Sequence, residues 1–271
     1  INVTDASCNT ADGVAAATVT GGVTPYIYAW SSGGSSSTDT ALVGGNYSLL
    51  VTDTNGCIDS MTLVIPITSP VQEICIITVD STSTKNVVVW EKPVVTNIDS
   101  FRIYRDIVGT YTWVGSLPYG VESYFTDSTI GVNPMVTSYR YKVATLDACG
   151  NESEMGSYHE TIHVQTTNNG TTVDLLWDNY EGFNFGFYRI LRDSTGLGGA
   201  NWLAIDSVTN ANFTYTDINP PQIGANYLIE VVPAAVCEAK KVKNFNSSKS
   251  NTSSVSGNTT LSGTISSTDA S

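Results

Sequence analysis

The segment Phe101-Arg-Ile-Tyr-Arg-Asp106 returns 87 residues later as Tyr188-Arg-Ile-Leu-Arg-Asp193, and no other feature constrains the fold as strongly. Val89-Trp90-Glu91 returns as Leu176-Trp177-Asp178, Trp113 as Trp202, Phe125-Thr-Asp127 as Tyr215-Thr-Asp217, and Tyr139 as Tyr227. Five landmarks in one order, offset by 87 to 90 residues, indicate a duplicated domain. The repeated positions are apolar or aromatic residues at strand spacing, together with turn residues. They describe a scaffold more than a site.

Two copies of that size leave about 70 residues in front and a tail behind. Between residues 71 and 164 seven short segments read as strands: Ile74–Val79, Asn86–Trp90, Ser100–Arg105, Thr112–Ser116, Ser123–Thr126, Ser138–Leu146 and Tyr158–Val164. Short strands at regular spacing separated by turn residues predict a β-sandwich. Residues 165–240 follow the same plan with Val173–Trp177, Gly186–Leu191, Trp202–Asp206, Asn212–Thr216 and Asn226–Val232. In residues 1–67, Val14–Val19, Tyr26–Trp30, Tyr47–Val51 and Cys57–Ile65 alternate as strands do, and Asn55-Gly56 predicts a type I′ hairpin turn. The expected fold class is therefore all-β, with three tandem sandwiches and a tail over 241–271. Of the last 25 residues, 15 are Ser or Thr, a flexible-linker composition. Yet from Val255 to Ser266 larger apolar side chains alternate with polar ones, which predicts a strand over about 254–266. Its expected partner is the edge of a neighbouring copy, as in donor-strand assembly, or a further domain.

The chain has 25 acidic and 12 basic residues, a net charge of −13, and no Lys or Arg before Lys85. With so few cations to displace phosphate counterions, nucleic-acid binding is not expected. Charge-driven adhesion to an anionic bilayer is disfavoured for the same reason. No apolar run reaches the roughly 18–20 residues that span a membrane, so insertion is not expected. No cleavable leader is visible and Ile1 is not a Met, which reads as a mature or internal piece of a longer chain.

Catalytic chemistry is not expected. No P-loop, dinucleotide fingerprint or HExxH stands in the sequence. His159 and His163 are four apart beside one strand, a span of about 13 Å that precludes a shared metal. They are read as solvated or half-buried surface histidines. Asp12, Asp53 and Asp59 lack the regular loop spacing that calcium prefers, so no cofactor is expected. Tyr111, Trp113, Tyr119, Tyr124, Phe183, Phe185 and Phe187 exceed what two small cores hold. They cover sandwich edges or form a contact surface for carbohydrate or protein.

Five cysteines (Cys8, Cys57, Cys75, Cys149 and Cys237) form no CxxC pair and read as disulfides in an oxidising compartment, with one left over. Spacing alone leaves 15 pairings, and five buried free thiols remain the alternative. Trp90 and Tyr139 resemble residues of fibronectin type III domains, and in a sandwich of that topology the first strand starts at the pole carrying the loop after strand six, which implies Cys75 paired with Cys149. Cys237, in a copy with no Cys on its first strand, is then unpaired.

Residues 3–65 resemble the SprB-type repeat of long surface and gliding adhesins of Bacteroidetes. The resemblance is carried by Gly21-Gly22-Val-Thr-Pro-Tyr26, Tyr28-Ala-Trp30-Ser31, Gly45-Asn-Tyr47 and Val51-Thr-Asp53-Thr-Asn-Gly-Cys57. It implies an Ig-like module in which Cys8 and Cys57 are bonded. Trp90 on the second strand and Tyr139 on the sixth resemble the core Trp and corner Tyr of fibronectin type III domains, which implies that fold for 71–164 and 165–240. Asp39-Thr40-Ala41, Asp59-Ser60-Met61 and Asp206-Ser207-Val208 resemble the O-glycosylation pattern of secreted Bacteroidetes proteins, implying acceptors at Thr40, Ser60 and Ser207.

Together these resemblances imply a non-enzymatic extracellular or cell-surface protein: a rod-like adhesin stalk or filament subunit exported by the type IX system. Its expected partners are other surface proteins, glycans or copies of itself, with the tail as a route to a homopolymer. The alternative is a glycan-binding or spacer region of a secreted polysaccharide-degrading enzyme.

Overall fold

The computed structural model describes residues 1–94, 97–193, 195, 201–221, 224–234 and 245–256. Every element in them is a strand, grouped into six sheets that face each other in pairs.

The first sandwich contains β1 (Asn2–Thr4), β2 (Gly13–Ala16), β3 (Ile27–Trp30), β4 (Thr38–Leu42), β5 (Gly45–Thr52) and β6 (Ile58–Ile65). Sheet β1-β2-β4 packs on sheet β3-β5-β6. Ala15 and Leu42 on one side meet Trp30, Leu49 and Ile65 on the other. The Asn55-Gly56 turn differs from its expected form. Thr52 pairs with Ile58, so five residues connect β5 to β6, and only Gly56 has positive φ (+80°). Asp53 organises this loop in place of a type I′ turn: its Oδ1 accepts the Asn55 and Cys57 N–H at 2.9 and 2.8 Å, and its Oδ2 that of Val23.

The second sandwich has strands at all seven expected places: β7 (Ile76–Val79), β8 (Asn86–Val89), β9 (Ile98–Ile107), β10 (Thr110–Pro118), β11 (Tyr124–Asp127), β12 (Arg140–Asp147) and β13 (His159–Glu160), the last cut to two residues because Val164 opens the next sandwich. Its sheets are β7-β8-β11 and β10-β9-β12-β13. A two-residue hairpin, Val108-Gly109 with φ of +55° and +82°, joins β9 to β10 and carries β10 as the sheet's outer strand.

The third sandwich repeats this order: β14 (Val164–Asn168), β15 (Val173–Trp177), β16 (Phe187–Asp193), β17 (Leu203–Thr209), β18 (Thr214–Asp217) and β19 (Gly224–Val231). The tail completes it through β20 (Ser248–Lys249) and β21 (Ser253–Ser256), which both pair antiparallel with β19. The sheets are β14-β15-β18 and β17-β16-β19-β20, with β21 also on β19.

Two corrections follow. The tail strand starts at Ser253, and its partner over Ser253–Ser256 is the chain's own β19, not a neighbouring copy. The second copy of the plan lacks its own last strand, which leaves β19 with an open edge that the tail fills. Residues 257–271, the rest of the expected strand, lie outside the described residues. Second, two landmarks of the duplication shift in register. Arg105 pairs with Tyr141 and Arg192 with Tyr227, so Tyr227 corresponds to Tyr141, not Tyr139. Likewise Trp113 lies opposite Tyr104, whereas Ala204 lies opposite the equivalent Leu191, so Trp202 is not the counterpart of Trp113.

The sandwiches are tied to one another. The segment leaving the first sandwich meets the second at Thr145 on β12, whose hydroxyl lies 2.7 Å from that of Ser69 and donates to Pro70 O at 2.5 Å. Between the second and third, one apolar cluster is continuous, running from Trp90, Phe101 and Tyr141 to Trp177, Tyr188 and Tyr227. The tail reaches back as well, since Lys249 N–H donates to Thr78 Oγ1 at 2.9 Å and Thr252 N–H to Ser83 Oγ at 2.7 Å.

Candidate functional site

The cysteines depart from both expected pairings. Cys8 is bonded to Cys149 with Cα atoms 5.9 Å apart, joining the first sandwich to the loop after β12, and Cys57 is an exposed free thiol. The physical reason lies in the position of β6. Ala6 bridges Ile67 just past the end of β6, while Cys57 precedes its start, so Cys8 and Cys57 sit at opposite poles. Eight strand residues span about 27 Å, far beyond disulfide reach. Cys75 is disulfide-bonded, but not to Cys149. Ser69 and Pro70 do contact Thr145 near that pole, and Cys8 takes the partner there. Cys237 lies outside the described residues. Asp147 stands beside the Cys8–Cys149 sulfurs, a grouping with metal-ligand spacing. Bonded sulfurs have no thiolate to offer a metal, and Asp147 Oδ1 already accepts the Cys149 and Asn151 N–H groups at 2.9 and 2.8 Å.

The two histidines are buried, against the expectation of solvated or half-buried surface groups. Each is drawn into the joint between the second and third sandwiches. His159 Nδ1 lies 3.0 Å from the Tyr180 hydroxyl, with the Tyr180 and Phe183 rings edge-on to the imidazole. His163 Nε2 meets Met135 O at 3.2 Å. Burial pushes His159 down to about 4, only partly opposed by the charge of Glu73. A folded value below the unfolded one means that the unfolded chain binds the proton first. Stability is therefore expected to fall by up to about 3 kcal/mol as pH drops from 6.5 to 4, and His159→Gln should flatten that part of the profile. Denaturant melts at pH 7 and 4.5 check this, and equal pH slopes for wild type and variant contradict it.

Two charged networks repeat at equivalent positions. Arg105 donates to Asp127 at 2.6 Å, Tyr141 to the same carboxylate at 2.7 Å, and Thr129 to its other oxygen. In the third sandwich Arg192 donates to Asp217 at 2.6 Å and the Tyr227 hydroxyl donates to the same carboxylate at 2.8 Å. Burial raises the Asp127 carboxyl, but the bonds from Thr129, Tyr141 and Arg105 outweigh it and hold it below the usual range. Asp217 behaves likewise, with Arg192 and Tyr227 outweighing burial. These groups are paired with one another and face inward, with Arg192 Nε the one nitrogen among them left without a partner, so they serve the fold.

The outward face of sheet β10-β9-β12-β13 has a different composition. Trp113 and Lys142 flank Tyr104 across the strands, and Tyr111 stands opposite Asp106. Cations lie over rings: Lys142 Nζ 5.0 Å from the centroid of Tyr111, Arg140 5.1 Å from Tyr158, and Arg102 5.7 Å from Trp113. Each is worth about 0.5–1 kcal/mol at such sites. Arg102 pairs with Glu152 at 2.5 Å, and Arg140 with Glu160 at 2.8 Å. Burial, then the charge of Asp106, pushes the Tyr111 hydroxyl up to about 12, so it stays a donor at neutral pH.

Of the aromatics expected at the surface, only Trp113 and Phe187 are largely exposed, at 58% and 60%. Tyr111 is half-buried within the face just described, Tyr119 packs on Phe101, and Tyr124 meets Phe245. Phe183 and Phe185 pack around Tyr180 at the joint. The sequence reading missed Arg102, Arg140 and Lys142. Alternation within Phe101–Asp106 and Tyr139–Val143 was the signal that would have placed cations and rings on one face. Thr40, Ser60 and Ser207 are all exposed, on β4, β6 and β17.

Comparison with known proteins matches the family model described as SprB repeat to residues 1–35. No curated protein matches the chain. Among solved structures, pectate lyase Pel3 from Pectobacterium carotovorum is 17% identical with a TM-score of 0.27, over 38% of this chain and 28% of its own. The chicken CNTN1 FN1–FN3 domains are 11% identical with a TM-score of 0.27, over 81% of this chain and 80% of theirs. A two-domain fibronectin type III segment from chicken tenascin is 13% identical at 0.26, over 68% and 97%. The β-sandwich assignment stands on the sheets themselves. Among the described residues no helix is long and apolar enough to cross a membrane.

Proposed function

We propose that this chain is part of a non-enzymatic, extracellular adhesion or structural protein, a surface stalk or filament subunit of a type IX-secreted protein of Bacteroidetes. The observation that carries this reading is the Cys8–Cys149 disulfide, which fastens the sandwich containing the matched repeat to the next one in series. Disulfides persist in oxidising compartments, and a covalent tie between modules suits a chain that bears load outside the cell. The apolar cluster shared by the second and third sandwiches supports the same role, since it resists separation of the modules. Thr40, Ser60 and Ser207 are the proposed O-glycan acceptors, each presented to solvent on a strand. The second reading, an accessory glycan-binding region of a secreted enzyme, is favoured by one observation only, the aromatic and cationic face of the second sandwich.

Beads coated with the chain are expected to adhere to cells, to each other or to polysaccharide-coated surfaces more than albumin-coated beads do. Adhesion no greater than that of albumin on every surface would remove the adhesive reading.

A further inference from the structure

The second and third sandwiches are copies of one plan, and only one of them carries the aromatic and cationic face. At the register positions of Trp113, Tyr104 and Lys142 the third sandwich has Ala204, Leu191 and Leu228. Both copies keep the buried Trp and the Arg–Asp–Tyr network. The sheet is thus built equally well without the array, so its maintenance does not account for the array.

Trp113 is exposed but held in place. The Arg102 guanidinium lies over its ring, and its Nε1–H is already donated to Gly115 O at 2.9 Å. What the side chain offers to solvent is a fixed apolar ring, which loses little freedom on binding. The charges on this face nearly balance: Arg102, Arg140 and Lys142 stand among Asp106, Glu152, Glu160 and Glu181, one acidic group in excess. On a chain of net charge −13, a face with no excess of cations gives an anionic ligand no attraction and leaves it repelled by the remainder. A protein hot spot needs a contiguous, dried centre, whereas here each ring is bordered by an ion pair that is costly to desolvate. A neutral sugar fits both features. Its C–H face stacks on a ring, and its rim of hydroxyls exchanges hydrogen bonds with the paired charges while they remain partly wet.

We propose that this face binds a neutral polysaccharide across Trp113, Tyr104 and Tyr111. The inference rests on the adhesive reading and names what the adhesive element holds. Affinity electrophoresis of the full chain tests it, in gels containing starch, xylan, galactomannan or hydroxyethyl cellulose, with alginate and polygalacturonate as anionic comparisons. The wild type should be retarded in at least one neutral gel. Trp113→Ala should weaken that binding about tenfold or more, with Trp113→Phe largely retaining it. Phe187→Ala, an exposed ring on the third sandwich, should leave retardation unchanged, and an unaltered melting curve for Trp113→Ala shows that its fold is intact. Three results overturn the proposal: no retardation in any neutral gel, retardation in anionic gels alone, or Trp113→Ala binding within about twofold of wild type. If coated beads still adhere after any of these, the adhesive reading stands and only the polysaccharide platform falls.

Discussion

Asp127→Ala is expected to destabilise the second sandwich by about 3–5 kcal/mol, because it leaves the Arg105 guanidinium buried without its counter-charge. The Arg105 side chain is 9% exposed and Asp127 not at all, so water replaces little of what is lost. Tyr141 also loses its acceptor at the centre of the core. Asp217→Ala in the third sandwich should cost less, since Arg192 is 19% exposed and keeps a bond to Asn219 O at 3.0 Å. The sign of the pH dependence follows from the depressed Asp127 carboxyl. Its contribution is complete above the unfolded value of about 3.9 and disappears as pH falls through the lower folded value. The variant should therefore lose less stability than the wild type on acidification below about pH 4. Denaturant unfolding followed by tryptophan fluorescence measures both effects. A loss under about 1 kcal/mol for Asp127→Ala would show that the network adds nothing beyond an exposed ion pair.

This network illustrates what the sequence makes legible. Repeated Phe101–Asp106 and Phe125–Asp127 segments announce a duplicated sandwich, because burial forces the same residue types onto the same inward positions. The seven strands of the second sandwich follow from period-2 alternation and turn residues for the same reason. What alternation does not encode is register. Tyr139 and Tyr141 both fit an alternating strand, and only pairing with Arg105 shows which one answers to Tyr227. Cysteine pairing depends on which poles meet between modules, a tertiary fact absent from spacing, and so Cys8 reaches Cys149 and leaves Cys57 free. The open aromatic face was half legible. Its rings stand out as too many for the core, but the cations that organise them become visible only when neighbouring strands are laid side by side.

Ending the chain at Asn246 is expected to unfold the third sandwich instead of freeing a loose tail. Composition alone points the other way, since a Ser/Thr-rich end reads as dispensable linker. In the fold, however, β19 is central: seven of its eight residues are buried, and β20 and β21 supply its outer hydrogen bonds. Ser250 donates its N–H to Ile229 O and accepts the Ile229 N–H on its hydroxyl, both at 2.9 Å. Asn251, 2% exposed, spans the two sheets by accepting the Val164 N–H at 2.8 Å and donating to Val164 O at 3.0 Å. Each buried backbone group left without a partner costs about 1–3 kcal/mol, and four of them lie on Ile229 and Val164 alone. The sum, of order 5 kcal/mol or more, is comparable with the whole stability of a domain. The small polar residues are thus required by their positions. Ser and Asn are short enough to enter the seam between sheets, and each pairs with main chain that an apolar residue would strand. The truncated protein should become protease-sensitive across residues 164–234 while residues 1–70 stay protected. A synthetic peptide of residues 245–256, added in excess, should restore protection by pairing with β19. Asn251→Ala in the full chain should show part of the loss, about 1–3 kcal/mol, in denaturant melts. If the truncated chain melts like the intact one, the tail is a passenger on β19 and contributes nothing to the core it covers.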